Sequence, residues 1–135
     1  MDILDMVRKN ILRKIEIMKK SLKEAKIAQL NAPSAMESHS DTTKSEMEKL
    51  VTALEIDISR QKNYLSLVPN NLTPSNQKIE LWKNVRVNNK GILMNIIIVP
   101  DGMGGDTIDG IRLVSETTPL VLQIKKGEIE VLEVR

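Results

Sequence analysis

The 135-residue chain contains no cysteine and no phenylalanine, and its only aromatic residues are Tyr64 and Trp82. Without cysteine it forms neither disulfides nor a thiolate metal site. So few aromatic rings argue against a base-stacking platform for single-stranded nucleic acid and against an aromatic-lined small-molecule pocket. Because no apolar run approaches a membrane span or a signal segment, we expect a cytoplasmic protein without membrane contact.

Groupings of catalytic residues are also missing. The single histidine, His39, has no cysteine or second histidine with which to form a zinc site or a nucleophilic triad. The glycine-rich segment Asp101–Asp106 lacks the lysine and hydroxyl residue of a P-loop, and its two acids would repel a phosphate. We therefore predict that the chain is not an enzyme by itself.

The net charge is only +2, which gives no general attraction to nucleic acid, and we expect no direct sequence-specific binding to it. The charges are nevertheless segregated along the sequence. Basic residues are concentrated in the first thirty residues, whereas acidic residues follow in the polar segment Asn31–Glu46 and just after it. This separation could matter at a charged partner, although for any single charge a solvated helix face is the simpler explanation.

Two long segments flank Asn31–Glu46, and each has apolar residues spaced by threes and fours. This spacing predicts helices over about Ile3–Leu30 and up to about Val68. Two matched seams joined by a short loop predict an antiparallel coiled-coil hairpin over residues 1–69, with its tip at 31–43 and a linker at 70–78. The seams are Leu4, Val7, Ile11, Ile15, Met18, Leu22 and Ala25, and Met47, Leu50, Leu54, Ile58, Gln61, Leu65 and Val68.

The predicted tip contains several carboxylates. Asp41, together with Glu37 or Glu46, could hold a divalent cation jointly with a partner. The alternative role is local, because Thr43–Glu46 fits a capping box and Asp41 could cap a helix that begins two residues earlier. The sequence is compatible with both hypotheses.

From Ile79 to Arg135 the period changes to that of strands. We predict a strand over Ile79–Val87, a turn at Asn88–Gly91, and a central strand over Ile92–Val99 that is buried on both faces. Residues 111–115 and 128–134 predict two further strands, and the segment after Pro119 is either a short helix or a bent strand. The fold class is therefore α+β, with an antiparallel sheet of about four strands.

This C-terminal half resembles the C-terminal domain of the Gre transcript-cleavage factors of bacterial RNA polymerase. In that family a strand ending in Val-Gly or Val-Pro leads to an acidic, glycine-bearing loop, then a strand ending in Ser, a Ser-Pro-Leu, a short helix and a Lys-Lys-x-Gly turn. The corresponding pieces here are Val99–Pro100, residues 101–110, Ile111–Ser115, Thr118–Leu120 and Lys125–Glu128.

The resemblance implies that the sheet domain is FKBP-like and that the partner is RNA polymerase. It implies docking through Ser115, Thr118, Pro119 and Leu120, with the hairpin inserted into the secondary channel. Tip acids, Asp41 first among them, would there hold a Mg²⁺ ion shared with the polymerase, and the chain would need no cofactor of its own.

The tip departs from the family pattern. The family places a Glu three residues after the Asp, whereas Lys44 stands three residues after Asp41 here. A lysine opposes a shared cation, so we expect a modulator of transcription elongation instead of an efficient cleavage factor. We expect a monomer, because the two matched seams can satisfy each other within one chain. The alternative function is a coiled-coil interaction or adaptor protein outside transcription, in which the two seams form a homo-oligomer.

Overall fold

The computed structural model of the chain describes residues 2–31, 40–71 and 78–135, with the backbone alone described at 40–44. The architecture is α+β, an N-terminal hairpin of two helices followed by a five-stranded sheet. The chain divides into two compact units. One is Val7–Val68, and the other combines Met1–Met6 with Pro69–Arg135.

The hairpin consists of α1, Ile3–Leu30, and α2, Ser40–Leu67. The backbone N–H of Asp5 donates to Asp2 Oδ1 at 2.8 Å, so Asp2 caps the start of α1. The seam of α1 is buried or half-buried throughout, as predicted. The seam of α2 is less regular, because Leu50 is exposed. None of the helices in the described parts of the chain is long and apolar enough to cross a membrane.

The second unit is built on the sheet, whose strand order is β3-β4-β2-β1-β5. A two-residue turn at Lys90-Gly91 joins the first two strands, as predicted, and a short helix follows the fourth strand. The elements are β1 Asn84–Asn89, β2 Ile92–Val99, β3 Thr107–Ile108, β4 Ile111–Ser115, α3 Pro119–Lys125 and β5 Glu130–Val134.

Three details of this unit differ from the prediction or complete it. The first strand begins at Asn84 and not at Ile79, because Trp82 has a positive φ of 64° that interrupts an extended backbone. The two-residue strand β3 was not predicted. The segment after Pro119 is a helix, which decides between the two forms left open by the sequence.

The predicted antiparallel sheet is confirmed at every strand pair but one. Strands β2 and β4 run parallel, with Val99 opposite Ser115, whereas the other pairs are antiparallel. The physical reason is the connection, because residues 100–110 are long enough to carry the chain back along β2 before β4 begins. The parallel arrangement brings the C-terminal ends of β2 and β4 to the same edge.

The core of the sheet unit lies against one face of β1 and β2. Strand β2 occupies the centre of the sheet, and its last four residues, Ile96–Val99, are fully buried, which confirms the predicted burial on both faces for that half. Its first two residues, Ile92 and Leu93, are exposed. The core cluster contains Val85, Val87, Ile96, Ile98, Val114, Val121, Ile124 and Ile129.

Candidate docking site

The predicted docking residues lie at the junction of β4 and α3. Ser115 ends β4, and Thr118 is the N-cap of α3, with extended backbone angles and a hydroxyl that accepts from the Val121 N–H at 3.4 Å. Pro119 follows in the first turn, where its missing N–H costs nothing. The Thr118 hydroxyl also donates to the Ser115 carbonyl at 2.9 Å. The strand end and the helix start are therefore tied together.

A carboxylate from the preceding loop reaches this junction. Asp101 Oδ1 lies 3.1 Å from Ser115 Oγ and 3.1 Å from Thr117 Oγ1, while the two hydroxyl oxygens lie 3.0 Å from each other. Each hydroxyl has one hydrogen to donate, so two hydrogens serve these three contacts. Because the acceptor is a carboxylate, bonds to it are favoured over the bond between the hydroxyls. Asp101 thereby fixes the loop after β2 to the end of β4.

A glycine allows the loop to approach the strand closely. A Cβ added at Gly104 would lie 2.8 Å from the backbone nitrogen of Ser115 and 3.4 Å from the carbonyl oxygen of Leu113. The next residue, Gly105, donates its N–H to that same carbonyl at 2.9 Å. The loop thus packs backbone against backbone on β4, which excludes a side chain at Gly104.

The loop, the strand and the helix enclose a cavity of about 380 Å³ that all four predicted docking residues line. Ser115 is buried, Thr118 and Leu120 are half-buried, and Pro119 is exposed. Leu120 also packs against the core cluster, so it has a structural role as well. We call this cavity the junction cavity; its lining is Gly102, Gly104, Gly105, Arg112, Leu113, Val114, Ser115, Thr118, Pro119 and Leu120.

The chemistry of the junction cavity is that of a recognition surface. Its walls are aliphatic side chains and glycine backbone, and Arg112 supplies a positive charge from an exposed position on β4. Such a lining is chemically compatible with an apolar side chain that has a carboxylate beside it.

The tip residues are placed differently from the junction residues. Glu37 lies outside the described residues, whereas α2 begins at Ser40, so Asp41 and Thr43 fall in its first turn. The helix therefore begins one residue before Asp41 and three residues before Thr43. Asp41 and Glu46 are five positions apart in one helix, which places them about 140° apart around its axis.

The side chain of Glu46 is exposed. Among the residues that the structure describes, no group of three or more acidic or histidine side chains is arranged to hold a metal ion. Asp41 remains the tip candidate on the grounds of the sequence resemblance.

Two residues of the junction were not singled out by sequence reasoning. Asp101 was noted only as an acid that would repel phosphate, and Gly104 only as part of a glycine-rich loop. The signal that reveals Asp101 is its spacing, since it lies two residues after Val99 as Thr117 lies two residues after Ser115. That spacing has meaning only in a parallel pair.

One ionisable group of the sheet unit has a clearly shifted pKa, and it lies away from the junction cavity. A hydrogen bond from the Arg135 guanidinium to Glu133 at 2.6 Å lowers the pKa of that carboxyl below its ordinary value of 4.5. Desolvation opposes this hydrogen bond and is the second-largest effect, while the positive charges of Arg135 and Arg86 add to the lowering of the pKa. Glu133 is thus an anion at neutral pH.

No protein-family model matches the chain, and no curated protein matches it either. Among solved structures, the chain is similar to a crystal structure of GreA factor homolog 1 (Gfh1) of Thermus thermophilus. That likeness covers 95% of this chain and 94% of the other, with a TM-score of 0.45 and 12% identity. A second structure, of the transcription factor Gfh1, has a TM-score of 0.45 and 14% identity over 87% of this chain and 76% of the other.

Proposed function

We propose that this chain is a Gre-like accessory factor that binds RNA polymerase through the secondary channel and modulates transcription elongation. The order of elements supports the proposal, since a helical hairpin precedes a small mixed sheet domain. The C-terminal residues from Val99 onward support it through their resemblance to the Gre family.

The observation that carries the proposal is the convergence of the docking residues. Ser115, Thr118, Pro119 and Leu120 were chosen from the sequence resemblance, and they line one cavity at one strand–helix junction. Asp101 and Gly104 hold the neighbouring loop against that junction. A preformed apolar cavity with a rigid rim suits a side chain presented by a partner protein.

The proposed role is modulation and not efficient stimulation of RNA cleavage. Cleavage would require the tip carboxylates to hold a Mg²⁺ ion together with the polymerase. Lys44 is three positions from Asp41 in α2, and residues at this spacing share one face of a helix. A cation there opposes a second cation, so the tip is suited to occupying the channel without supplying the second acid.

The test is binding of the full chain to core RNA polymerase in competition with a known ligand of the secondary channel. Pro119→Glu places a charge at the rim of the junction cavity, and an acid is tolerated in the first turn of a helix. Leu122→Glu is the matched control, since Leu122 is exposed in the same helix and does not line the cavity.

We expect competitive binding by the unchanged chain, a loss of about tenfold in affinity for Pro119→Glu, and little loss for Leu122→Glu. Equal losses for both variants would remove the docking assignment. Absence of binding at concentrations of tens of micromolar would reject the polymerase as partner.

The adaptor alternative has one observation in its favour. Several large apolar side chains of the two helices are exposed, and Leu30 is 84% exposed; the others are Leu12, Ile17, Ile27, Leu50, Ile56 and Leu67. Single exposed apolar residues are common on monomeric proteins. Size-exclusion chromatography with light scattering decides the matter, because a concentration-dependent oligomer would favour the adaptor and a monomer would favour the polymerase factor.

A further inference from the structure

A second cavity of about 370 Å³ lies in the sheet unit and shares no lining residue with the junction cavity. Strands β1, β2 and β5 supply most of its wall, and the turn before β4 supplies the rest. We call it the arginine cavity; its lining is Arg86, Val87, Leu93, Met94, Asn95, Gly110, Leu132 and Arg135.

The register of the strands places three polar residues in one row across the sheet. Arg86 on β1 lies opposite Asn95 on β2 and opposite Glu133 on β5. Neighbouring strands are about 5 Å apart, so the row spans about 10 Å. An extended peptide covers this distance with about three residues.

Two guanidinium groups converge at one end of the row. Arg86 Nη1 lies 3.6 Å from Glu133 Oε2, and Arg135 Nε lies 2.6 Å from Glu133 Oε1. Backbone hydrogen bonds in both directions between Asn84 and Arg135 hold Arg135 beside β1. Each guanidinium has five N–H donors and Glu133 occupies few of them, so two positive charges face one negative charge. The remaining donors suit a second carboxylate.

Asn95 supplies a hydrogen-bond acceptor beside the guanidinium donors. Its side-chain oxygen is buried and accepts no hydrogen bond within the described parts of the chain, although the residue lines the cavity. A buried acceptor without a donor is unfavourable, and a turn of the Asn95 side chain toward the cavity would let a ligand N–H remove that cost. The ligand that fits therefore carries an N–H group near its acid.

The apolar part of the wall selects further among acidic ligands. Leu93 and Leu132, both lining residues, are 67% and 47% exposed. Aliphatic side chains bury an aliphatic partner, whereas nucleobases bind by stacking on aromatic rings, and none of the lining residues is aromatic. These residues favour a peptide over a nucleic acid.

We propose that the arginine cavity binds a segment of a protein partner in which an acidic residue is flanked by aliphatic residues. The acid lies on the guanidinium groups of Arg86 and Arg135, and an aliphatic side chain packs on Leu93 and Leu132. The Asn95 side chain turns toward the cavity, where its Oδ1 accepts from a backbone N–H of the segment. Glu133 holds the two arginines in place. This inference does not depend on the proposed function.

The test uses the full chain labelled with ¹⁵N and the capped peptide acetyl-Leu-Asp-Leu-amide, with acetyl-Leu-Asn-Leu-amide as its uncharged counterpart. We expect the acidic peptide to shift the amide signals of Arg86, Asn95 and Leu132, with a dissociation constant of about 1 mM. The uncharged peptide should bind about tenfold more weakly, because it lacks the charge-assisted bonds.

Variants separate recognition from folding. Arg86→Gln and Arg135→Gln should each weaken peptide binding several-fold, whereas Arg60→Gln, an exposed arginine of α2, should not change it. Asn95→Leu should keep or raise the midpoint of thermal unfolding, because it removes an unsatisfied buried oxygen, and should still weaken the peptide. A structural role alone predicts no effect of Asn95→Leu on binding.

Several outcomes would overturn the proposal. They are equal binding of the two peptides, no shift at these amides at the highest soluble peptide concentration, and unchanged binding by both arginine variants. Inorganic phosphate and single-stranded oligouridylate serve as competitors. If either competitor binds with a lower dissociation constant than the acidic peptide and displaces it, the cavity is a phosphate or nucleic-acid site. The peptide assignment is then wrong.

Discussion

Thr117 donates from its hydroxyl to Asp101 Oδ1 over 3.1 Å, although 16 positions of sequence separate them. Each residue lies two positions beyond the end of a strand, and the strands are the parallel pair β2 and β4. The contact is therefore a direct consequence of the parallel register, and it closes the loop that borders the junction cavity.

The first prediction is that Asp101→Ala loosens this loop. The change removes the acceptor shared by Ser115 and Thr117 and should lower the free energy of unfolding by about 1 kcal/mol, because the site is partly exposed. Thermal or urea unfolding measures it. Glu128→Ala, at another exposed acid of the sheet unit, should change stability by less than half as much, and equal effects would show that Asp101 has no special role.

The second prediction concerns the close approach of Gly104 to β4. Gly104→Ala introduces a Cβ at 2.8 Å from the Ser115 nitrogen, so the loop must move, at a cost of about 2 kcal/mol. The Ser115 amide signal should shift in an NMR spectrum. Gly127→Ala is the control, because Gly127 has a φ of 78° with open space around it.

The control should cost about 1 kcal/mol through backbone strain alone and should leave the Ser115 amide unchanged. If Gly104→Ala proves as stable as the unchanged chain, the loop does not pack on β4 as described.

Sequence reasoning succeeded where one physical signal dominates. The apolar seam, uninterrupted by glycine or proline, predicted α1 over the range that the structure shows, Ile3–Leu30. Lys90-Gly91 marked the turn between β1 and β2. It failed at Trp82, because no residue type other than glycine, asparagine or aspartate signals a positive φ in advance. A bulky residue in that conformation is held there by its tertiary surroundings.

The residues of the β4–α3 junction could be singled out from the sequence only in part, for a related reason. Ser115 and Pro119 were proposed as docking residues through their resemblance to a family pattern, which needs no knowledge of the sheet. Asp101 could not be found, because its partners become neighbours only when β2 and β4 are parallel, and strand periodicity carries no information on direction. The close approach of Gly104 to β4 can be recognised only when the path of the loop is known.

The third prediction is that Lys90→Asn stabilises the sheet unit. Lys90 and Gly91 both have positive φ, at 52° and 87°, in the turn between β1 and β2, and asparagine adopts this conformation more readily than lysine. The gain should be about 0.5 kcal/mol in urea unfolding. Lys126→Asn, at a residue with a φ of −81°, should give no gain. Similar gains in both variants would point to a charge effect instead of the turn.

The fourth prediction is a pH dependence at Glu133. Because Arg135 and Arg86 lower its pKa in the folded chain, ionisation of Glu133 stabilises the fold above the unfolded-state pKa. That stabilisation disappears as the pH falls through the lower, folded-state pKa. Glu133→Gln should therefore be less stable than the unchanged chain at neutral pH, and the difference should vanish in acid.

Unfolding at a series of pH values between neutral and strongly acidic measures this difference, and Glu128→Gln, at a carboxyl without these neighbours, serves as the control. A difference that stays constant over the whole range would mean that packing and not ionisation distinguishes Glu133 from glutamine.

The fifth prediction tests the tip. If Lys44 is what prevents cation sharing with the polymerase, Lys44→Glu should raise metal-dependent RNA cleavage in backtracked polymerase complexes, because two acids at this helical spacing can hold one Mg²⁺ ion. Lys49→Glu, an exposed lysine farther along α2, adds the same charge away from Asp41 and should not raise cleavage. The double variant Asp41→Ala/Lys44→Glu should lose the gain. If Lys44→Glu binds the polymerase and cleavage does not increase, the missing acid is not what separates this tip from that of a cleavage factor.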